Sequence, residues 1–208
     1  MKTFLQRLTL IGGLFLAATV LLARSNSAEH LKDATADIKK EKDRLEVQSA
    51  LASFEETGKL KPFFEKSYAV VIFPSIGKGG LGIGGAHGSG WGFREGKLDG
   101  TTKMTQVTIG FQAGGQAFSQ VIFFEDEATF NHFTSGDFEL GAQASAVALT
   151  AGANASASTA GGTAAGAGDS QAKTTYSDGM AIFTLAKGGL MYEASVGGQK
   201  FSYKPVKK

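Results

Sequence analysis

The chain of 208 residues has no cysteine, only three prolines and three histidines, and a single tryptophan. Without thiols there is no disulfide to staple the fold and no thiolate chemistry. The histidines, His30, His87 and His132, are too scattered to form a close metal-binding pair. Neither a G-x-S-x-G elbow nor a G-x-x-x-x-G-K-[S/T] loop occurs, which removes the common serine-hydrolase and P-loop signatures. The sequence predicts no enzyme and no cofactor.

Long apolar runs are also scarce. The clearest, Leu8 to Ala23, follows Lys2 and Arg7 and is itself uncharged. It falls short of the roughly 20 residues a spanning helix needs and leads into Ser25-Asn26-Ser27. This layout predicts a secretory signal peptide, residues 1–27, cleaved near Ser27/Ala28. An uncleaved anchor is the alternative. The expected location is the periplasm or the outer membrane of a bacterium, and with no cysteine after the run, lipid attachment through an N-terminal cysteine is excluded.

Net charge is missing too. Of the 21 Lys and Arg, Lys2, Arg7 and Arg24 belong to the leader, so 18 cations face 19 acids in the remainder. Bulk electrostatics therefore give no reason to expect nucleic acid as a partner.

What the sequence does have is glycine, 29 residues of it. Residues 28–66 are first read as helical: Leu31, Ala34, Ile38, Leu45 and Ala52 fall near one stripe, widened by Val47, Leu51 and Phe54. This amphipathic helix is either single or broken in two. Gly58 can end it, and Pro62 can open a short turn anchored by Phe63 and Phe64. From residue 67 to 208 strands dominate: YAVVIF, MTQVTIGFQ, FSQVIFF, AIFTL and QKFSYK are β-branched and aromatic. FEDEATFNHFTSG interrupts them as a short helix with acids in its first turn. Ala142 to Gly168 is nearly all Ala, Gly, Ser and Thr, its front half fit for a strand and its back half for a loop. The expected fold class is α+β, with N-terminal amphipathic helices packed on a largely antiparallel, Gly-rich β-sheet or partly closed barrel, in a single domain.

The stretch KGGLGIGGAHGSGWGF, Lys78 to Phe93, admits three readings: a phosphate cradle, a smooth strand or a linker. A dinucleotide fingerprint needs a helix directly after the glycines, and AHGSGWGF is poor in helix formers. Period two orders the stretch. Leu81, Ile83, Gly85, His87, Ser89, Trp91 and Phe93 lie on one side, and Gly82, Gly84, Ala86, Gly88, Gly90 and Gly92 on the other. The bare side suits close approach of another backbone, a ring or an acyl chain. His87 with Ser89 is the remaining candidate for hydrolytic chemistry, against a packed or rim histidine.

The motif Lys-Gly-Gly-Leu occurs twice, at Lys78-Gly79-Gly80 and Lys187-Gly188-Gly189, each after an apolar strand. Read as turns, the two could each offer backbone amides and one ammonium to a phosphate or carboxylate; the alternative is a solvated lysine. Arg94, Lys97 and Lys103 would extend a basic rim if the hairpin at Glu95-Gly96-Lys97 lies nearby, and Lys200, Lys204, Lys207 and Lys208 make the C-terminus locally basic.

Three segments together resemble the SYLF-domain family: YAVVIFPSIGKGGLGIGGAHGSGWGF, GFQAGGQAFSQVIFFEDEATFNHFTSGDFELGAQASAVAL and AIFTLAKGGLMYEASVGGQKFSY. They span Tyr68 to Tyr203 in the family's order. The resemblance implies an α+β domain that binds anionic phospholipid head groups, notably phosphoinositides, without catalysis. On that basis the expected partner is an anionic phospholipid membrane, and the candidate site is Lys78, Gly79, Gly80, Arg94, Lys187, Gly188 and Gly189, with Trp91 and the bare glycine face for apolar contact. The alternative is a structural or protein-interaction module, including a homo-oligomer.

Overall fold

The computed structural model describes residues 27–140, 147–149 and 175–206. Residues 1–26 of the expected leader and all of the Ala/Gly/Ser/Thr run except residues 147–149 lie outside the described residues.

The N-terminal helix is indeed broken. Helix α1 (Ala28–Ala34) runs into a 3-10 turn (Thr35–Asp37), and helix α2 (Glu41–Glu56) follows. The Ser27 hydroxyl accepts the His30 N–H at the start of α1. The buried stripe of α2 is Val47, Ala50, Leu51 and Phe54, spaced as one helical face. Leu45, expected on that stripe, is 55% exposed, because the face begins two residues later. Gly58, with φ of 66°, closes the helix in the left-handed conformation that glycine adopts freely. Helix α3 (Lys61–Lys66) then inserts Phe63 and Phe64 into the core.

Three long strands make the body: β1 (Ala69–Arg94), β2 (Lys97–Phe124) and β5 (Met180–Pro205). Helix α4 (Glu127–Thr134) and two short strands, β3 (Asp137–Leu140) and β4 (Val147–Leu149), lie between β2 and β5. The sheet order is β1-β2-β5-β3, with β4 also on β5. All pairings are antiparallel except β4 with β5. Among the described residues the sheet is not closed.

A strand of 26 residues would reach about 85 Å if straight. Yet the Glu95 N–H donates to the Tyr68 carbonyl at 3.3 Å, so β1 returns to where it began. The fold-over lies at Gly82, whose φ is 72°. There Leu81 pairs with Ala113 and Ile83 with Ile109, so β1 spends one residue where β2 spends three. β2 and β5 stay paired around the bend.

The doubled sheet gives three layers. One side of the first halves, Val70, Ile72, Val121, Phe123 and Phe183, packs on the helices, with Phe64 edge-on to Phe123 at 4.8 Å between ring centres. The other side, Val71, Phe73, Ile122, Phe124 and Ile182, packs on Ala86, Met104 and Phe201 of the second halves. Phe130 and Phe133 of α4 close that inner core at its end. Each such aromatic contact adds about 0.5–1.5 kcal/mol beyond area burial.

Candidate functional site

The bare glycine side of β1 faces inward, and what lies close against it is the strand itself. A Cβ on Gly88 would sit 2.6 Å from Ile76 Cγ1, and one on Gly90 would sit 2.8 Å from both the Ile72 carbonyl oxygen and the Phe73 ring. Gly84, Gly88, Gly90 and Gly92 are all buried. Of the uses considered for this smooth face, close approach of another backbone is the one found, and no acyl chain can reach it. Trp91 is 9% exposed and belongs to the helix-facing core, so it is not placed for apolar contact with a membrane.

Neither Lys-Gly-Gly motif is a turn. Both lie within strands flanking β2 and reach the same level: Gln116 is opposite Lys78 on one side and Gly189 on the other. Gly79 and Gly80 face Gly115 and Gly114, while Gly188 faces Ala117. In extended backbone the amides point alternately outward and do not converge on one anion as a nest does. Lys187 donates from Nζ to the Pro74 carbonyl at 3.0 Å, an acceptor it shares with the Ser119 hydroxyl at 2.8 Å. Lys78 is half-buried and has its own partner.

Arg94 is engaged as well, at the opposite, hairpin end of β1. Its Nε lies 3.0 Å from Asp99 Oδ1 and its guanidinium stacks 5.0 Å from the Phe130 ring centre. Asp99 also accepts from the Tyr203 hydroxyl at 2.8 Å. Burial first, and then the Asp99 carboxylate, pushes the Tyr203 phenol well above its ordinary range. The structure thus unites the two Lys-Gly-Gly segments but separates them from Trp91 and Arg94.

His87 is exposed, with Nδ1 3.4 Å from the Thr105 hydroxyl and no hydrogen bond to Ser89. Among the described residues no group of three metal-ligating side chains occurs. A cleft of about 290 Å³ opens beside α1, lined by Ser27, Glu29, Glu55, Lys61 and Glu65 among others. Its three carboxylates make it unsuited to an anionic ligand.

The outward side of the second halves is different. Along it lie Leu81, Ile83, Gly85, His87 and Ser89 of β1, then Ile109, Val107, Thr105, Lys103 and Thr101 of β2, then Gly198, Lys200, Ser202 and Lys204 of β5. The face is graded. At the bend Leu81 is 82% exposed, Ile83 and Ile109 68% each, and Val107 59%. Toward the hairpin it becomes cationic. Lys200 is shared between Asp137 at 3.2 Å and Glu139 at 3.5 Å on β3, whereas Lys103 and Lys204 have no ion-pair partner among the described residues. Sequence reasoning placed Leu81 and Ile83 together but read the glycine side as the functional one. The signal for the reverse was Val107 and Ile109, whose alternation across from Ile83 continues the same outward row.

Residues 105–204 match the sequence profile of the Ysc84 family, described as Las17-binding protein actin regulator. The matched part runs from the middle of β2 to the end of β5, leaving β1 and the three N-terminal helices outside it. Beta cell expansion factor A of Aeromonas veronii is 29% identical over 150 residues, 71% of this chain and 50% of that protein. The chain therefore spans about half the length of that curated relative. No solved structure matches.

Proposed function

We propose that this chain, whose residues 105–204 belong to the Ysc84 (SYLF) family of binding domains, is a non-enzymatic module that docks on anionic phospholipid head groups at a membrane surface of the bacterial envelope. The observation that carries this reading is the cationic part of the outward sheet face, where Lys103 and Lys204 stand on neighbouring strands without an ion-pair partner among the described residues, beside Lys200, which Asp137 and Glu139 share. Diagonal neighbours in an antiparallel pair are about 7–8 Å apart, a spacing at which several head groups can be met at once. Each lysine near an anionic surface contributes about 1 kcal/mol. Lys78 and Lys187, with Gly79, Gly80, Gly188 and Gly189, flank the bend and form a second, weaker basic region. The leader expected from the sequence would carry the module out of the cytoplasm, and on this reading the actin-regulator role named for the family is not carried over. Binding of a protein is the second reading, favoured by β1, which forms an edge of the sheet among the described residues, where a partner strand can add.

Vesicle flotation tests the proposal. The exported chain should float with phosphatidylglycerol-containing vesicles at low salt, much less at high salt, and not with phosphatidylcholine alone. Lys103→Glu with Lys204→Glu should weaken the anionic binding by about a hundredfold or more. Equal binding at all salt concentrations, or an unaffected double variant, would remove these lysines from the account.

A further inference from the structure

We infer that the bend of the doubled sheet is a wedge that enters the acyl boundary of the bilayer, with Leu81, Ile83, Val107 and Ile109 as the inserting side chains. The inference rests on the membrane reading above and adds to it the element that leaves the aqueous phase.

Four observations bear on it. The side chains are among the most exposed large apolar groups of the described residues, and they cluster: Ile83 and Ile109 are direct cross-strand partners, with Leu81 and Val107 on either side. They sit beside the fold-over, at the bend end of the outward face. The helices pack at the other end, around Trp91 and Phe93, so nothing described covers the bend. Moreover, the same face carries Lys103 and Lys204 farther back, and the described acids on its margin, Asp137 and Glu139, are both within reach of Lys200. An apolar end with cations behind it is the charge arrangement of an element that lies across a lipid interface. A second copy of the chain is a poorer fit. A stable protein interface needs about 800 Å² from each partner, well beyond what four side chains at an edge supply.

Gly82 explains how β1 can turn so tightly. Its positive φ turns β1 within one residue, which leaves Leu81 and Ile83 pointing outward on both sides of it. Side chains that point away from their own protein at a turn cannot be buried by folding. They are available to another apolar phase.

The test uses the full exported chain. Ile83→Asn with Ile109→Asn changes two exposed side chains and should leave the melting temperature in place. Flotation with phosphatidylglycerol/phosphatidylcholine vesicles is then repeated at about 0.5 M salt, where the Debye length falls to around 4 Å. The unmodified chain should retain a salt-resistant fraction, and the double variant should lose at least tenfold in partition. In parallel, Ile83→Trp and Thr101→Trp are compared using vesicles with brominated acyl chains. Emission should shift to the blue and be quenched for Ile83→Trp but not for Thr101→Trp, which lies at the hairpin end of the same face. If the unmodified chain floats but neither polar substitution nor brominated chains distinguish the bend, the wedge is refuted and the head-group reading stands. If the unmodified chain does not float on any vesicle, both fall. If the double variant instead converts a dimer into a monomer by light scattering, with vesicle binding unchanged, the wedge is refuted and the bend belongs to a second copy.

Discussion

Replacing Gly90 with alanine isolates the fold-over of β1 from every functional question. The added Cβ would meet the Ile72 carbonyl oxygen and Phe73 Cδ1 and Cε1, all at 2.8 Å, when ordinary contact begins near 3.4 Å. Something must move by over half an ångström. Phe73 has no room to yield, being fully buried and packed 5.8 Å, centre to centre, from the Phe201 ring. Ile72 belongs to the strand that the helices cover. Overpacking of this kind costs about 1–3 kcal/mol, and a backbone clash puts Gly90→Ala in the upper part of that range. For a domain of this size each kcal/mol lowers the melting temperature by about 2–4 °C, so a fall of roughly 5–12 °C is expected in a thermal melt followed by circular dichroism. Gly85→Ala is the control on the opposite parity. Its Cβ would lie outward, 3.5 Å from the Gln106 carbonyl oxygen, and removing a glycine from a compatible strand position should be neutral or stabilise by up to about 1 kcal/mol. Two melting temperatures within about 2 °C of each other would show that the two halves of β1 are not stacked.

Other consequences concern the supports of the fold. The Tyr203 and Tyr176 phenols are both raised, chiefly by burial, Tyr176 to about 12. Unfolded phenols ionise near pH 10, so their contribution to stability is complete below pH 10 and is lost as pH rises toward the folded values. Absorbance at 295 nm should show these two ionising together with loss of structure, and their titration near pH 10 in a folded chain would contradict the burial. Asp126 caps α4 by accepting the Thr129 N–H at 2.8 Å, so Asp126→Ala should destabilise by about 0.5–2 kcal/mol in urea melts while Asp126→Asn stays near the parent. Lys187→Met removes one of two donors to the Pro74 carbonyl and should cost about 1 kcal/mol. Combined with Ser119→Ala it should cost more than the two separately, because the carbonyl is then left without either side-chain donor.

Much of the architecture was legible because it is written in local patterns. The break in the first helix, the stop at Gly58, the anchoring of Phe63 and Phe64 and the capped helix at Phe130 and Phe133 follow from helical period and end signals. Alternation in Lys78 to Phe93 also revealed a strand with one side free of side chains. It could not reveal which side faces in, because that depends on what packs there, and the packing partner is the same strand a dozen residues earlier. Of the uses the bare side suits, close approach of another backbone is the one that packing selects, and apolar contact with a membrane is not. The same limit applies to the Lys-Gly-Gly segments. Glycine pairs after a strand read as turns, whereas here they lead each strand toward a bend that only the three-strand register defines. The ion pairs that occupy Arg94 and Lys200 join residues on different strands or across a hairpin, and nothing in the local pattern shows them.

The hairpin at Glu95 and Gly96 carries more than its size suggests. Both residues have positive φ, 48° and 74°, the geometry of a two-residue turn whose twist matches its strands. From it the pairing of β1 with β2 runs in order through the outer layer, around the bend and into the inner one, stepped by register shifts at Gly92/Phe93, Leu81/Ile83 and Phe73/Ile76. In an ordinary sandwich, two sheets set their registers by separate turns. Here one turn indexes both, like the first tooth of a zip that later doubles back on itself. A slip of one residue would exchange inside for outside in two layers at once: the smooth glycine row would face water, and Leu81 and Ile83 would press against Ile76 and Phe73. A lengthened turn should thus be far more damaging in this chain than at most exposed hairpins, although it would touch neither core.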